Sequence, residues 1–255
     1  MSQRVRYGEI GHTLMFHGQY LQDWLLYDTD YDWRMDTKIC GPSRAVADIG
    51  SHWFDTAQFV TGKKIKSVFA SLMTMHPVRK RYNKTGGSFS ATIIQPAEEL
   101  VEEVPIATED AAFIMVRLED GTPGSLIVSQ VSAGKKNDLR LNISGSACSI
   151  EWKQENPDKL WLGHRSKPNE ILYSCPQALT GDAKRYATLP NGHPVAWHDA
   201  LRNGINEFYI SIRANTYKDE NQNYATFRNG HQIIQLVEAC LESNRRNSWI
   251  DVQEG

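Results

Sequence analysis

A chain of 255 residues, 40% hydrophobic and 23% charged, can bury a sizeable core without disulfide or metal staples. Its 28 Lys and Arg nearly balance 30 Asp and Glu, and the net charge of −2 excludes the basic footprint of a nucleic-acid or acidic-membrane binder. No apolar run approaches the roughly 20 residues that cross a bilayer. The N-terminus lacks the apolar stretch of a signal peptide, and Cys40, Cys148, Cys175 and Cys240 are too dispersed for a zinc knuckle or redox pair, so a reducing cytoplasm is expected.

In residues 13–26, Tyr20, Gln22 and Trp24 alternate with Leu21, Asp23 and Leu25. This period of two predicts a strand with a polar aromatic face. Residues 27–44, rich in Asp, Thr, Gly and Pro, read as a loop. A helix is predicted over residues 48–61, with Asp48 near its start and Gly62 as its stop. Strands are expected at 65–75, 111–118 and 125–131, the last two joined by the hairpin signal Glu119-Asp120-Gly121-Thr122-Pro123-Gly124. Further strands are read at 139–144, 148–152 and 160–163, and a surface loop at 84–103. Leu201, Ile205, Phe208 and Ile212 share one face of a helix over 198–213, and Ile233, Ile234, Val237, Cys240 and Leu241 do so over 227–244. Residues 248–252 form a last strand or extended arm. This order predicts one α+β domain over residues 1–255, an open, mainly antiparallel β-sheet with helices on one face. The other face is then left for solvent or a partner.

No Gly-x-Gly-x-x-Gly turn, Walker sequence or Gly-x-Ser-x-Gly elbow occurs. No Rossmann domain and no cofactor-binding residue are therefore expected in this chain. The sharpest local feature is Asp48-Ile49-Gly50-Ser51-His52, where residues four apart share a helical face. A carboxylate beside an imidazole can orient it and favour its charged form, and an imidazole takes a proton near neutral pH. The plain alternative is an N-capping Asp and a solvated His. His193 and His198, five apart beside Asp199, do not place two ligands on one helical turn. They read as hydrogen-bond donors lining a pocket, and no metal site is expected.

The segments Gly18-Gln19-Tyr20-Leu21-Gln22-Asp23-Trp24-Leu25, Trp33-Arg34, Ser43-Arg44-Ala45 and Asp48 to Asp55 resemble the Gfo/Idh/MocA family of oxidoreductases (glucose-fructose oxidoreductase, inositol dehydrogenase and relatives). Glu109-Asp110, Gly192-His193-Pro194, residues 226–231 and residues 238–243 are similar to the family's later landmarks, in the right order. The resemblance covers nearly the whole chain and is to the family's C-terminal substrate domain. It implies a substrate-binding and oligomerisation domain of an NAD(P)-dependent oxidoreductase acting on a sugar, polyol or related carbinol by hydride transfer. Asp48 and His52 would be catalytic, and Tyr20, Gln22, Trp33, Arg34, His193 and His198 would line the substrate pocket. NAD or NADP would serve the complete enzyme through a Rossmann domain missing here, so the chain alone is expected to be inactive. A homodimer or tetramer through the open sheet face is also implied. The alternatives are a non-enzymatic carbohydrate-binding or scaffold module that keeps the fold, and a metal-dependent hydrolase for which no compact ligand set is found.

Overall fold

The computed structural model describes residues 1–82, 100–179, 181–190, 192–193, 197–219 and 222–253. A short helix α1 (Ser2–Arg6) leads into strand β1 (Thr13–Leu21). A 3-10 turn (Trp33–Met35), helix α2 (Thr37–Cys40) and a π-helical turn (Val46–Gly50) follow, and the π turn runs directly into helix α3 (Ser51–Thr61). Strands β2 (Ile65–Met73), β3 (Val78–Tyr82), β4 (Leu100–Pro105), β5 (Ala111–Leu118) and β6 (Pro123–Ser129) come next. They are succeeded by β7 (Asp138–Gly145), β8 (Ser149–Lys153), β9 (Lys159–Gly163) and β10 (Glu170–Tyr173). Helices α4 (Gly181–Tyr186), α5 (Trp197–Arg213) and α6 (Phe227–Arg246) and strand β11 (Ile250–Asp251) complete the described chain.

The helical limits follow local chemistry. Gly62 ends α3 in the left-handed conformation at φ 71°, its N–H bonded to the Gln58 carbonyl. Thr226 and Asn229 form a reciprocal capping box at the start of α6. Of the loop expected at 84–103, residues 83–99 lie outside the described residues, and the remainder opens β4, which pairs with β3.

Nine strands form one sheet in the order β10-β9-β8-β7-β1-β6-β5-β2-β11. The expected open, mainly antiparallel sheet is corrected in one pairing, the other described pairings being antiparallel. The sheet is mixed, because β1 lies between β7 and β6 and pairs with β6 in parallel, Phe16 opposite Gly124 through Leu21 opposite Ser129. Alternation identifies a strand, but its neighbour and direction are set by which buried faces fit. Here Phe16 and Tyr20 of β1 join Leu126 and Val128 of β6 and Leu139 and Leu141 of β7 in one core.

α3 and α6 cover the same face. Trp53, Phe54, Ala57 and Val60 of α3 and Leu236, Val237 and Cys240 of α6 are buried in that core. Trp53 stacks on Phe16 with ring centroids 5.8 Å apart, and its indole N–H donates to the Arg140 carbonyl at 3.0 Å. Gly18 makes this approach feasible, since a Cβ there would stand 2.0 Å from the Arg140 oxygen and 2.3 Å from the Trp53 indole nitrogen.

The opposite face exposes Phe113, Met115 and Ile127. The predicted apolar face of α5 is likewise uncovered, with Leu201, Ile205, Phe208 and Ile212 exposed and Glu207 and Ser211 buried instead. Glu207 is held by Arg185, and Ser211 shares a hydrogen bond with the Tyr224 hydroxyl.

Candidate active site

The parallel pair decides where the polar residues gather. β1 and β6 run side by side, so both C-terminal ends emerge at one edge of the core, where β7 begins. Gln22 follows β1, Gln130 follows β6 and Asn137 precedes β7. Tyr20 and Gln22 are buried, and both reach Asn137 Oδ1, the Tyr20 hydroxyl by a short hydrogen bond and Gln22 Nε2 at 3.5 Å. Gln22 Oε1 accepts from the Trp24 indole at 2.9 Å. Burial, the leading cause, raises the Tyr20 phenol above its ordinary value, and the Asp48 charge adds to the rise.

Asp48 sits in the π-helical turn that opens α3, a wide turn found disproportionately at functional sites. Its Oδ2 accepts from Gln130 Nε2 at 2.7 Å, and its Oδ1 lies 4.0 Å from Arg34 Nε. His52 is exposed one turn on, its ring 6.1 Å from that of Tyr20. No described hydrogen bond joins Asp48 to His52, so the pair expected from spacing are neighbours coupled through charge. Arg34 bonds Asp32 Oδ1 at 3.1 Å, and its guanidinium lies 4.7 Å from the centre of the half-exposed Trp33 ring and 5.9 Å from that of Trp24. Asp32 also caps the 3-10 turn by accepting from the Arg34 N–H.

Behind this cluster lies a buried ionic network. Arg44 donates to Thr108 Oγ1 at 3.2 Å, to Gln130 Oε1 at 3.1 Å and to Asp110 by a short bond. Asp110 also takes Arg79 at 2.6 Å and the N–H groups of Met75 and His76 at 2.6 and 3.0 Å. Glu109 accepts from Ser43 Oγ and from the Arg44 and Val46 N–H groups, which fixes the entry to the π turn.

Burial pushes the Asp48 carboxyl above its ordinary value, while Arg34, His52 and the Gln130 bond offset only part of that rise. A carboxyl raised on folding leaves the folded state holding more protons than the unfolded chain, so stability falls as pH climbs through its folded pKa. Asp48→Asn is therefore expected to raise Tm at pH 7, with the difference vanishing at pH 3 where the carboxyl is protonated in both states. Thermal melts at the two pH values check this; a variant that melts lower at pH 7 contradicts it. Such a gain would show that Asp48 is kept for something other than stability.

Of the expected residues, Tyr20, Gln22, Trp33, Arg34, Asp48 and His52 come together. His193 and His198 are exposed, and no described contact ties either to the cluster; His193 Nδ1 instead lies 3.2 Å from the Pro190 carbonyl. Gln130 and Asn137 join the site without a legible signal, since each meets its partners across more than 80 residues of sequence. Among the described residues no group of three or more His, Cys, Asp or Glu is placed to hold a metal ion, and no helix is long and apolar enough to cross a membrane.

Residues 1–151 match the sequence family described as GFO/IDH/MocA C-terminal domain. Levoglucosan dehydrogenase of Pseudarthrobacter phenanthrenivorans is 28% identical over 98% of this chain, which spans 62% of that protein. The apo form of a levoglucosan dehydrogenase matches with a TM-score of 0.82 and 25% identity over 100% of this chain and 63% of its own. An inositol dehydrogenase homolog from Azotobacter vinelandii, complexed with NAD+, matches in fold with a TM-score of 0.80 and 22% identity over 98% of this chain and 60% of its own. The chain thus spans less than two thirds of these relatives. The expected absence of a Rossmann domain is also corrected. The whole chain aligns with full-length oxidoreductases, and a match to 63% of such an enzyme carries no statement that a nucleotide-binding domain is lacking. With a family match over more than half its length, this chain belongs to the Gfo/Idh/MocA oxidoreductases.

Proposed function

We propose that this chain is the substrate-binding domain of an NAD(P)-dependent oxidoreductase acting on a sugar, polyol or related carbinol by hydride transfer. The observation that carries the reading is the gathering of Asp48, His52, Tyr20 and the Arg34–Trp33 pair at one edge of the core. It combines an acceptor for hydroxyl groups, a proton-accepting imidazole and an exposed aromatic platform, which suits a polyhydroxylated ring. The relatives named for levoglucosan and inositol support the same substrate class.

One place that a dinucleotide's pyrophosphate could use is filled. The helix entry nearest the site is already occupied by an anion, because Glu109 takes the Arg44 and Val46 N–H groups that a pyrophosphate would need. The side chains gathered at the site are assigned to the substrate. Trp33 packs against the apolar face of the ring. Asp48 Oδ1, beside Arg34, accepts from a substrate hydroxyl. His52 accepts the proton of the carbinol being oxidised. The uncovered sheet face around Phe113, Met115 and Ile127 is assigned to self-association as a homodimer or tetramer.

Calorimetric titration with levoglucosan and with myo-inositol tests the reading. Binding of at least one is expected, together with its loss in Asp48→Asn and in His52→Ala. The 255-residue chain by itself is expected to turn over neither compound with NAD or NADP. Binding that survives both substitutions would move the site elsewhere. Binding lost in both, joined to a complete protein that performs no oxidation, would favour a carbohydrate-binding module that keeps the fold.

A further inference from the structure

We propose that Gln130 is a positioning residue that engages Oδ2 of Asp48 and leaves Oδ1 as the oxygen that faces the substrate. The inference rests on the reading of Asp48 as a substrate-contacting carboxylate.

Gln130 is fully buried immediately after β6. One end of its amide meets Arg44 NH1 at 3.1 Å and the other meets Asp48 Oδ2 at 2.7 Å. The two ends of an amide are interchangeable by a flip, so chemistry has to decide between them. A guanidinium only donates, so the amide oxygen must face Arg44 and the NH2 group must face Asp48. Arg44 cannot turn away to relax this choice. Its Nε bonds Thr108, its NH2 bonds Asp110, and Asp110 is in turn shared with Arg79 and two backbone N–H groups.

The consequence falls on Asp48. Oδ2 spends a lone pair on the Gln130 N–H. Oδ1, 4.0 Å from Arg34 Nε, is left as the oxygen that Gln130 does not engage. Oδ1 is accordingly the atom that accepts from a substrate hydroxyl. Gln130 thereby acts through Asp48 and converts a symmetric carboxylate into one with an inner and an outer oxygen. The charged and titratable groups acting on or facing Asp48 include Arg34 of the 3-10 turn and its cap Asp32, Cys40 of α2, His52 of α3 and Tyr20 of β1; Gln130 from the end of β6 is neutral.

The test is an NMR titration of the 255-residue chain, following the Asp48 side-chain carbon and the Gln130 side-chain amide. In the wild type the Gln130 amide resonances should move with the Asp48 midpoint, and this movement should disappear in Asp48→Asn. In Gln130→Glu, Arg44 keeps an acceptor while Asp48 meets a second carboxylate, so the proton affinity of Asp48 should rise at least about tenfold, one pH unit. A Gln130 amide that stays flat through the Asp48 titration overturns the proposal, and so does a folded Gln130→Glu whose Asp48 midpoint moves by less than about twofold in proton affinity. Should Gln130→Glu not fold, the wild-type amide titration decides alone. Sugar and polyol calorimetry separates the two readings. Coupled titration with no ligand bound overturns the substrate reading and leaves the inner and outer oxygens of Asp48 in place. Ligand bound with an uncoupled amide does the reverse.

Discussion

On the proposed reading as part of a sugar or polyol dehydrogenase, alanine at His52 in the complete protein is expected to lower kcat by about 10²- to 10⁴-fold at saturating sugar and nicotinamide, the range typical of a lost general base. The geometry supports a large effect. His52 is exposed on the first turn of α3, its ring stands 6.1 Å from that of Tyr20, and Asp48 lies one turn earlier. Oxidation of a carbinol removes a hydroxyl proton together with the hydride. Of the side chains gathered at the site, only imidazole ordinarily exchanges a proton near neutral pH. Steady-state kinetics with both substrates varied provides the check. A fall in kcat with KM little changed identifies a group that acts in the transition state, whereas a rise in KM alone would make His52 a binding residue. Unchanged turnover removes it from the chemistry.

The second large effect concerns stability. Asp110→Ala is expected to cost roughly 3–5 kcal/mol, because removing one member of a buried ionic network leaves charge behind without compensation. For a chain of this size the loss corresponds to a Tm lower by about 10 °C. Asp110, Arg44 and Arg79 have fully buried side chains, and Asp110 is the carboxylate that both guanidiniums share. Burial on its own would raise the Asp110 carboxyl; Arg44, the His76 N–H and Arg79 outweigh it, and the net direction is downward. A lowered carboxyl contributes stability that is present above its unfolded value of about 4 and is lost as pH falls through the folded value. The wild type should therefore lose more stability than Asp110→Ala when acidified below about pH 4. Circular-dichroism melts at pH 7 and pH 3 measure both effects. A variant melting within about 2 °C of the wild type at pH 7 would show that the two arginines find other partners.

These two residues mark different levels of legibility. His52 was accessible from sequence because its relation to Asp48 is local: four positions on a helix whose end Gly62 announces. The same local rules account for α3, for the hairpin joining β5 and β6, and for α6 with its buried stripe of Ile233, Val237 and Cys240. The role of Asp110 was not accessible. Glu109-Asp110 stands out only as a family landmark, and nothing near it in sequence indicates that Asp110 lies between Arg44 and Arg79, 66 and 31 residues away.

The amino-acid sequence by itself determined the main helices, most of the strands and the placing of Asp48 and His52 as neighbours one helical turn apart, since each depends on side chains within a turn or two of one another. Tertiary structure alone decided that β1 enters the sheet parallel to β6, which brings Gln22, Gln130 and Asn137 to one edge. It also decided that the apolar stripe of α5 stays uncovered. The physical reason is range. Periodicity and capping are settled by neighbours along the chain, whereas strand order, direction and the choice of hydrogen-bond partner are settled by which distant surfaces can be buried together without leaving a polar group unpaired.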